Sequence, residues 1–259
     1  MTMMLAIDIG NSRFKWAMFS GDAILCHGAF EYRFENFQSR LNSAELPYTT
    51  DLVMISSVAD KELNNLLIKW LKVNRYKEFS FAETQSEQCK VINSYKTPTN
   101  MGVDRWLAMI AAFKLCRAKT DELVCVVDCG TAITLDVINS QGRHMGGLIL
   151  PGYQTMIQSL VKKTSNIQGF DDNKYNALFI SGLAASTQEA IFKGCSQLII
   201  GGISGIIRSQ QEKSDGKIHC IITGGDGKWL SEALTCSNLY NPFLVLQGLS
   251  FTSTNIKNK

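Results

Sequence analysis

The chain has 259 residues, 45% of them hydrophobic and 19% charged, with a formal net charge of +3. That length accommodates two packed domains, the composition excludes disorder, and so small a charge, with Lys and Arg scattered, gives no basis for a nucleic-acid partner. No apolar stretch is expected to reach the roughly 18 residues of a membrane helix, and no cationic leader opens the chain, so neither a membrane nor a secretory route is expected.

The first third reads as strands followed by alternation. Strands are predicted at 4–9, 14–20 and 23–29, with Gly21-Asp22 turning the last two into an antiparallel meander. A helix near 35–41 and a buried strand at 51–56 come next. Residues 60–71 carry Leu63, Leu66, Leu67, Trp70 and Leu71 at helical spacing, and a short strand is expected at 76–81. The order β-β-β-α-β-α-β implies a mixed sheet covered by helices. Residues 95–102 are polar and turn-rich, and an amphipathic helix then runs from about Val103 to Arg117, with Asp104 in its first turn.

Strands begin again at 123–127, 133–138 and 143–150, a second meander. Pro151 suits the first turn of a helix over 153–162. A polar loop is expected at 164–174. Ser186-Thr187-Gln188-Glu189 resembles a capping box before a long helix over 190–208, which Gly194, Gly201 and Gly202 weaken or interrupt. A strand at 217–223, a short helix at 228–234 and a last helix from about Leu244 close the chain. The two halves are expected to part between Arg117 and Leu123, giving domains 1–119 and 120–259.

One motif occurs twice. Asp8-Ile9-Gly10-Asn11-Ser12-Arg13-Phe14-Lys15 follows the apolar run 4–7, and Asp128-Cys129-Gly130-Thr131 follows the apolar run 123–127. In each, a buried strand delivers a carboxylate into a turn where glycine permits a sharp bend or a close approach. Successive backbone N–H groups in such a turn can converge on phosphate oxygens. Asp8 would repel a bare phosphate, so it makes sense there chiefly with a bridging metal ion. A single such turn reads rather as a hairpin with a satisfied Asp, but the repetition implies two similar domains that hold one nucleotide. Gly224-Gly225-Asp226-Gly227 is either a third approach to that nucleotide or a plain strand-to-helix loop. The eight cysteines and three histidines form no ligand-spaced set, so no zinc site is expected, and the cysteines read as reduced thiols of a cytoplasmic protein.

The ordered set of motifs is similar to that of the superfamily of acetate and sugar kinases, heat-shock chaperone ATPases and actin. Within it the chain resembles the type III pantothenate kinases. The set comprises the Asp8–Lys15 turn, Ile55-Ser56-Ser57-Val58, Tyr95 with Pro98, and Gly102-Val103-Asp104-Arg105. It continues with Asp128 to Ala132, Thr134, Asp136, Gly146-Gly147 with Pro151-Gly152, Thr187 with Gly194, and Thr223 to Asp226. The resemblance implies an α/β fold of two ribonuclease H-like domains, each a mixed sheet of antiparallel meander plus parallel strands, flanked by helices. It implies ATP-dependent phosphorylation of the primary hydroxyl of pantothenate, the first step of coenzyme A biosynthesis, by a homodimer. Asp8, Ile9, Gly10, Asn11, Ser12, Arg13, Phe14 and Lys15, with Thr131, would bind ATP and its Mg²⁺, Asp8 reaching the metal through phosphate. Asp128 would hold a monovalent cation, K⁺ or NH₄⁺. Tyr95, Gly102, Val103, Asp104, Arg105 and Thr187 would bind pantothenate, with Asp104 as catalytic base. A carboxylate with a reference pKa of roughly 4 cannot ionise an alcohol beforehand, so Asp104 would orient the hydroxyl and take its proton late. The first motif departs from the usual pattern in having Ser12 where Thr is common. A non-catalytic accessory protein on the same fold, or another small-molecule kinase, is the alternative.

Overall fold

The computed structural model describes residues 3–48, 50–163, 182–214 and 217–253. The chain divides into two compact units. The first comprises 1–115, 142–144 and 243–259, and the second 116–141 and 145–242.

In the first unit, β1 (Met3–Ile9), β2 (Arg13–Ser20) and β3 (Ala23–Glu31) form the antiparallel meander. After a 3₁₀ turn and α1 (Phe37–Asn42), β4 (Leu52–Ser57) returns parallel to β1. Helix α2 (Lys61–Val73) then leads to β5 (Phe79–Phe81), parallel to β4. The sheet order is β3-β2-β1-β4-β5. Leu5, Ile7, Ile9, Phe14 and Trp16 share a core with Phe37 and Leu41 of α1 and Leu63, Leu67, Trp70 and Leu71 of α2. Each of these large side chains contributes about 1.5–3 kcal/mol over its exposed state. Asp60 starts α2 as its N-cap, its carboxylate accepting from Leu63 N at 2.8 Å. A two-residue hairpin, β6 (Glu87–Gln88) and β7 (Val91–Ile92), was not expected from the sequence. Helix α3 (Val103–Cys116) follows.

The second unit repeats the plan. Strands β8 (Leu123–Cys129), β9 (Ala132–Asn139) and β10 (His144–Pro151) are followed by α4 (Tyr153–Lys163) and α5 (Thr187–Ser214). Then come β11 (Ile218–Thr223), α6 (Gly227–Ala233) and β12 (Asn238–Tyr240). Its sheet order, β10-β9-β8-β11-β12, matches the first position for position. Strand β12, three residues long, was not anticipated, yet it is the counterpart of β5. The polar loop expected at 164–174 lies outside the described residues.

Helix α5 corrects two expectations. It is continuous over 28 residues despite Gly194, Gly201, Gly202 and Gly205. Those four glycines cost about 4 kcal/mol relative to alanine. Burial of Phe192, Cys195, Ile199, Ile203 and Ile207 outweighs that, at about 1.5–3 kcal/mol for each large apolar side chain. By length and composition α5 alone, among the described residues, is apolar enough to cross a membrane, contrary to the expectation that no stretch would be. Ile199, Ile203 and Ile207 share a core with Val127, Leu135 and Ile222 of the second sheet, so one stripe of the helix is buried within the protein.

The last helix, α7 (Leu244–Ser253), packs against β1, β4 and β2, and so groups with the first unit rather than with the 120–259 segment in which the sequence division put it. At Gly248 it lies close against α3. A Cβ there would run into the backbone of Leu107 in α3.

Candidate functional site

The two Asp-x-Gly turns occupy equivalent positions. Asp8 stands on β1 between Lys15 of β2 and Ser56 of β4, and Asp128 stands on β8 between Thr134 of β9 and Thr223 of β11. The main-chain hydrogen bonds repeat as well. Gly10 N donates to Arg13 O and Gly130 N to Ala132 O, each at 3.0 Å. Beyond the adjacent parallel strand, Val58 N donates to Ile9 O at 3.0 Å and Asp226 N to Cys129 O at 3.1 Å. The first turn is one residue longer, since Ile9 pairs with Phe14 whereas Cys129 pairs with Ile133.

Within the first turn the side chains divide. Ile9 and Phe14 are fully buried, Phe14 stacked on Phe30 at 4.7 Å, so both serve the turn through backbone alone. Asn11, Ser12 and Arg13 are exposed. Asp8 is 6% exposed and accepts the Ser56 hydroxyl at 2.9 Å. Tyr32, which sequence reasoning missed, fastens the turn from β3's end: its hydroxyl donates to Gly10 O at 2.5 Å and its N–H to Ser12 O at 3.1 Å. Burial, reinforced by Asp60 and Asp8, pushes the Tyr32 phenol up to about 12, so it stays a donor.

The second turn is built on close backbone packing. Gly152 N donates to Thr131 O at 3.0 Å, and the Thr155 hydroxyl to the same oxygen at 2.6 Å. Gly224, at φ +92°, lies against the turn, where a Cβ would stand 2.5 Å from Asp128 Oδ1 and from Cys129 N. The Cys129 thiol is pushed up by burial and then by Asp128 and Asp226, so it is an inert filler flanked by two carboxylates. Asp226 stands at the start of α6 as its N-cap residue.

A third cluster lies in the first unit, at the start of α3. Asp104 occupies the first helical turn, and its Oδ1 accepts the Arg105 N–H at 2.7 Å. A Cβ on Gly102 would stand 2.5 Å from that oxygen, so the glycine leaves room for the carboxylate. Arg105 is 6% exposed; its Nη1 donates to the Tyr95 hydroxyl at 3.0 Å, with the guanidinium carbon 5.7 Å from the ring centroid. Asn93 Oδ1 accepts from Tyr95 N at 2.9 Å. The structure thus brings Tyr95, Gly102, Val103, Asp104 and Arg105 together. Thr187 lies in the second unit as the first residue of α5, whose cap is Ser186, its hydroxyl accepting from Glu189 N at 3.3 Å.

Comparison with known proteins places this arrangement. Residues 4–209 match the sequence profile of the type III pantothenate kinases. A type III pantothenate kinase of Nitrosococcus oceani is 32% identical over 250 residues, 96% of this chain and 92% of its own. That of Hahella chejuensis is 33% identical over 251 residues, 95% of this chain and 94% of its own. This chain belongs to the type III pantothenate kinase family.

Two solved structures share the family's fold with it. One, from Campylobacter jejuni, is assigned to the Baf family of transcriptional activators; it has a TM-score of 0.59 at 21% identity, covering 98% of this chain and all of its own. The other, the activator of the 2-hydroxyisocaproyl-CoA dehydratase from Clostridium difficile with bound ADPNP, scores 0.50 at 11% identity, covering 99% and 95%. At such identities they speak for the fold alone: two ribonuclease H-like units with mixed sheets, as the sequence led one to expect.

For a type III pantothenate kinase, ATP arrives with a divalent metal. Asp8, buried and with Ser56 on one oxygen, fits a Mg²⁺ ion held largely by phosphate oxygens and water. Among the described residues there is no group of three or more His, Cys, Asp or Glu that could hold a metal ion.

Proposed function

We propose that the protein is an ATP-dependent kinase that phosphorylates the primary hydroxyl of pantothenate to 4'-phosphopantothenate, the opening step of coenzyme A biosynthesis. The observation that carries this reading is the Asp104 carboxylate beside the buried Arg105, which donates to Tyr95, in a chain of this family. Arg105 has the charge and fork to pair with the acceptor's carboxylate, and Tyr95, Gly102 and Val103 are assigned to the same substrate. Asp104 orients the hydroxyl and accepts its proton as the bond to phosphorus forms, because an alcohol is too weak an acid to ionise first. The Gly10–Arg13 backbone and Lys15 receive phosphate oxygens, with Asp8 toward the metal side. Mg²⁺, when bound, neutralises charge developing on the transferred phosphoryl group. In the second unit Thr131 is assigned to ATP and Asp128 to a monovalent cation, K⁺ or NH₄⁺. Thr187 is assigned to pantothenate. The working form is a homodimer, and its setting the cytoplasm, which suits eight cysteines that are all thiols.

The test is ADP release measured with and without pantothenate, in K⁺ and then in Na⁺ alone. The expected result is turnover that depends on pantothenate and falls in Na⁺. Lack of pantothenate-dependent turnover in K⁺ rejects the reading, and equal turnover in Na⁺ rejects the cation assignment.

A further inference from the structure

Gly142, Arg143 and His144 lie at the passage from β9 to β10, yet they group with the first unit. Gly142 O accepts from Ile92 N at 2.9 Å, and Arg143 forms a parallel bridge with Ile92. Gly142 has φ +81°, and a Cβ there would run into the Lys90 carbonyl. Both the backbone conformation and the space demand glycine. The segment is thus fixed against β7, and it delivers one side chain, His144, into the interior.

His144 is 1% exposed. Its Nδ1 shares a hydrogen bond with the Ser94 hydroxyl at 2.9 Å, and its ring stacks on Tyr95, centroids 6.1 Å apart and planes 30° from parallel. Tyr95 in turn accepts the Arg105 Nη1 hydrogen bond at 3.0 Å. A phenylalanine could fill this space, but only an imidazole also anchors to Ser94, which fixes the rotation of the ring about its own axis. We propose that His144, held by Ser94, is a positioning residue that sets the Tyr95 ring and, through it, the Arg105 guanidinium for the carboxylate of the acceptor substrate. The inference rests on the assignment of the Arg105–Tyr95 cluster to pantothenate. It concerns groups that grip a part of the acceptor remote from the reacting hydroxyl. Such groups act equally in the ground and transition states, so their misplacement raises KM and leaves kcat alone.

Two mild variants test it in the full-length enzyme. Ser94→Ala removes the anchor, and His144→Phe keeps an aromatic ring without it. Each is expected to raise the KM for pantothenate roughly three- to tenfold, the worth of one neutral hydrogen bond. The double variant is expected to do no more than either single one, because both remove the same bond. The KM for ATP and kcat stay within about twofold of wild type. A pantothenate KM unchanged in both variants overturns the inference. So does a fall in kcat with both KM values unchanged, which would signal a folding role. Wild-type enzyme without pantothenate-dependent turnover would instead reject the proposed function, and this inference with it.

Discussion

At the scale of single residues, the two turns owe their shape to a few contacts, and Tyr32 makes two of them in the first. Its hydroxyl holds Gly10 O and its main chain holds Ser12. The phenol is raised to about 12 in the folded protein, above its ordinary value of 10.0. A raised acid binds its proton more tightly in the native state, so its contribution is complete below about pH 10 and is lost as pH climbs toward 12. Tyr32→Phe is therefore expected to flatten the decline of stability over that interval, as read by urea unfolding at successive pH values. An equally steep decline in the variant would assign the alkaline transition to other groups. The residues that were legible in the sequence are those that repeat a local pattern. Asp8 and Asp128 each end an apolar strand before x-Gly, and the structure puts them at equivalent register. Tyr32, Ser94 and His144 were not legible, because a lone tyrosine, serine or histidine acquires its role only from partners 22 to 50 residues away.

At the scale of elements, hydrophobic periodicity located nearly all of the longer ones, and their ends differ by a few residues. It failed where packing overrides local preference or where the element is very short. Helix α5 keeps its course through four glycines because one face is buried, and β6, β7 and β12 have two or three residues each, too few for any period. The partner of α7 was equally illegible: an apolar helix states that it packs, not against what. Gly248 marks the consequence. Alanine there gains about 1 kcal/mol of helix propensity. It also drives a methyl group into the Leu107 backbone, which has no free side chain to yield, and overpacking of this kind costs about 1–3 kcal/mol. The clash is expected to win, and Gly248→Ala to lower Tm by several degrees in a thermal melt. A Tm equal to or above wild type would show that α3 and α7 can separate at no cost.

At the scale of the whole molecule, the chain is a duplication in which the order of strands, the register around each Asp and the hydrogen bonds that close each turn all recur. Among the described residues the first unit alone carries a segment like Tyr95-to-Arg105 after its fifth strand, and it is to this segment that the proposed function assigns the acceptor. The homodimer assigned to the working form is expected to give a light-scattering mass of twice the chain's 28.7 kDa; a mass of one chain at assay concentrations contradicts it. Proton transfer to Asp104 in the phosphorylation of pantothenate is tested most directly by Asp104→Asn. This swap keeps the shape and the acceptor oxygen for Arg105 N while removing the base. Pantothenate-dependent ADP release in K⁺ is expected to fall in kcat by about 10²–10⁴-fold, with the KM for ATP near wild type. Turnover close to that of the wild type would contradict the role of Asp104 as the base.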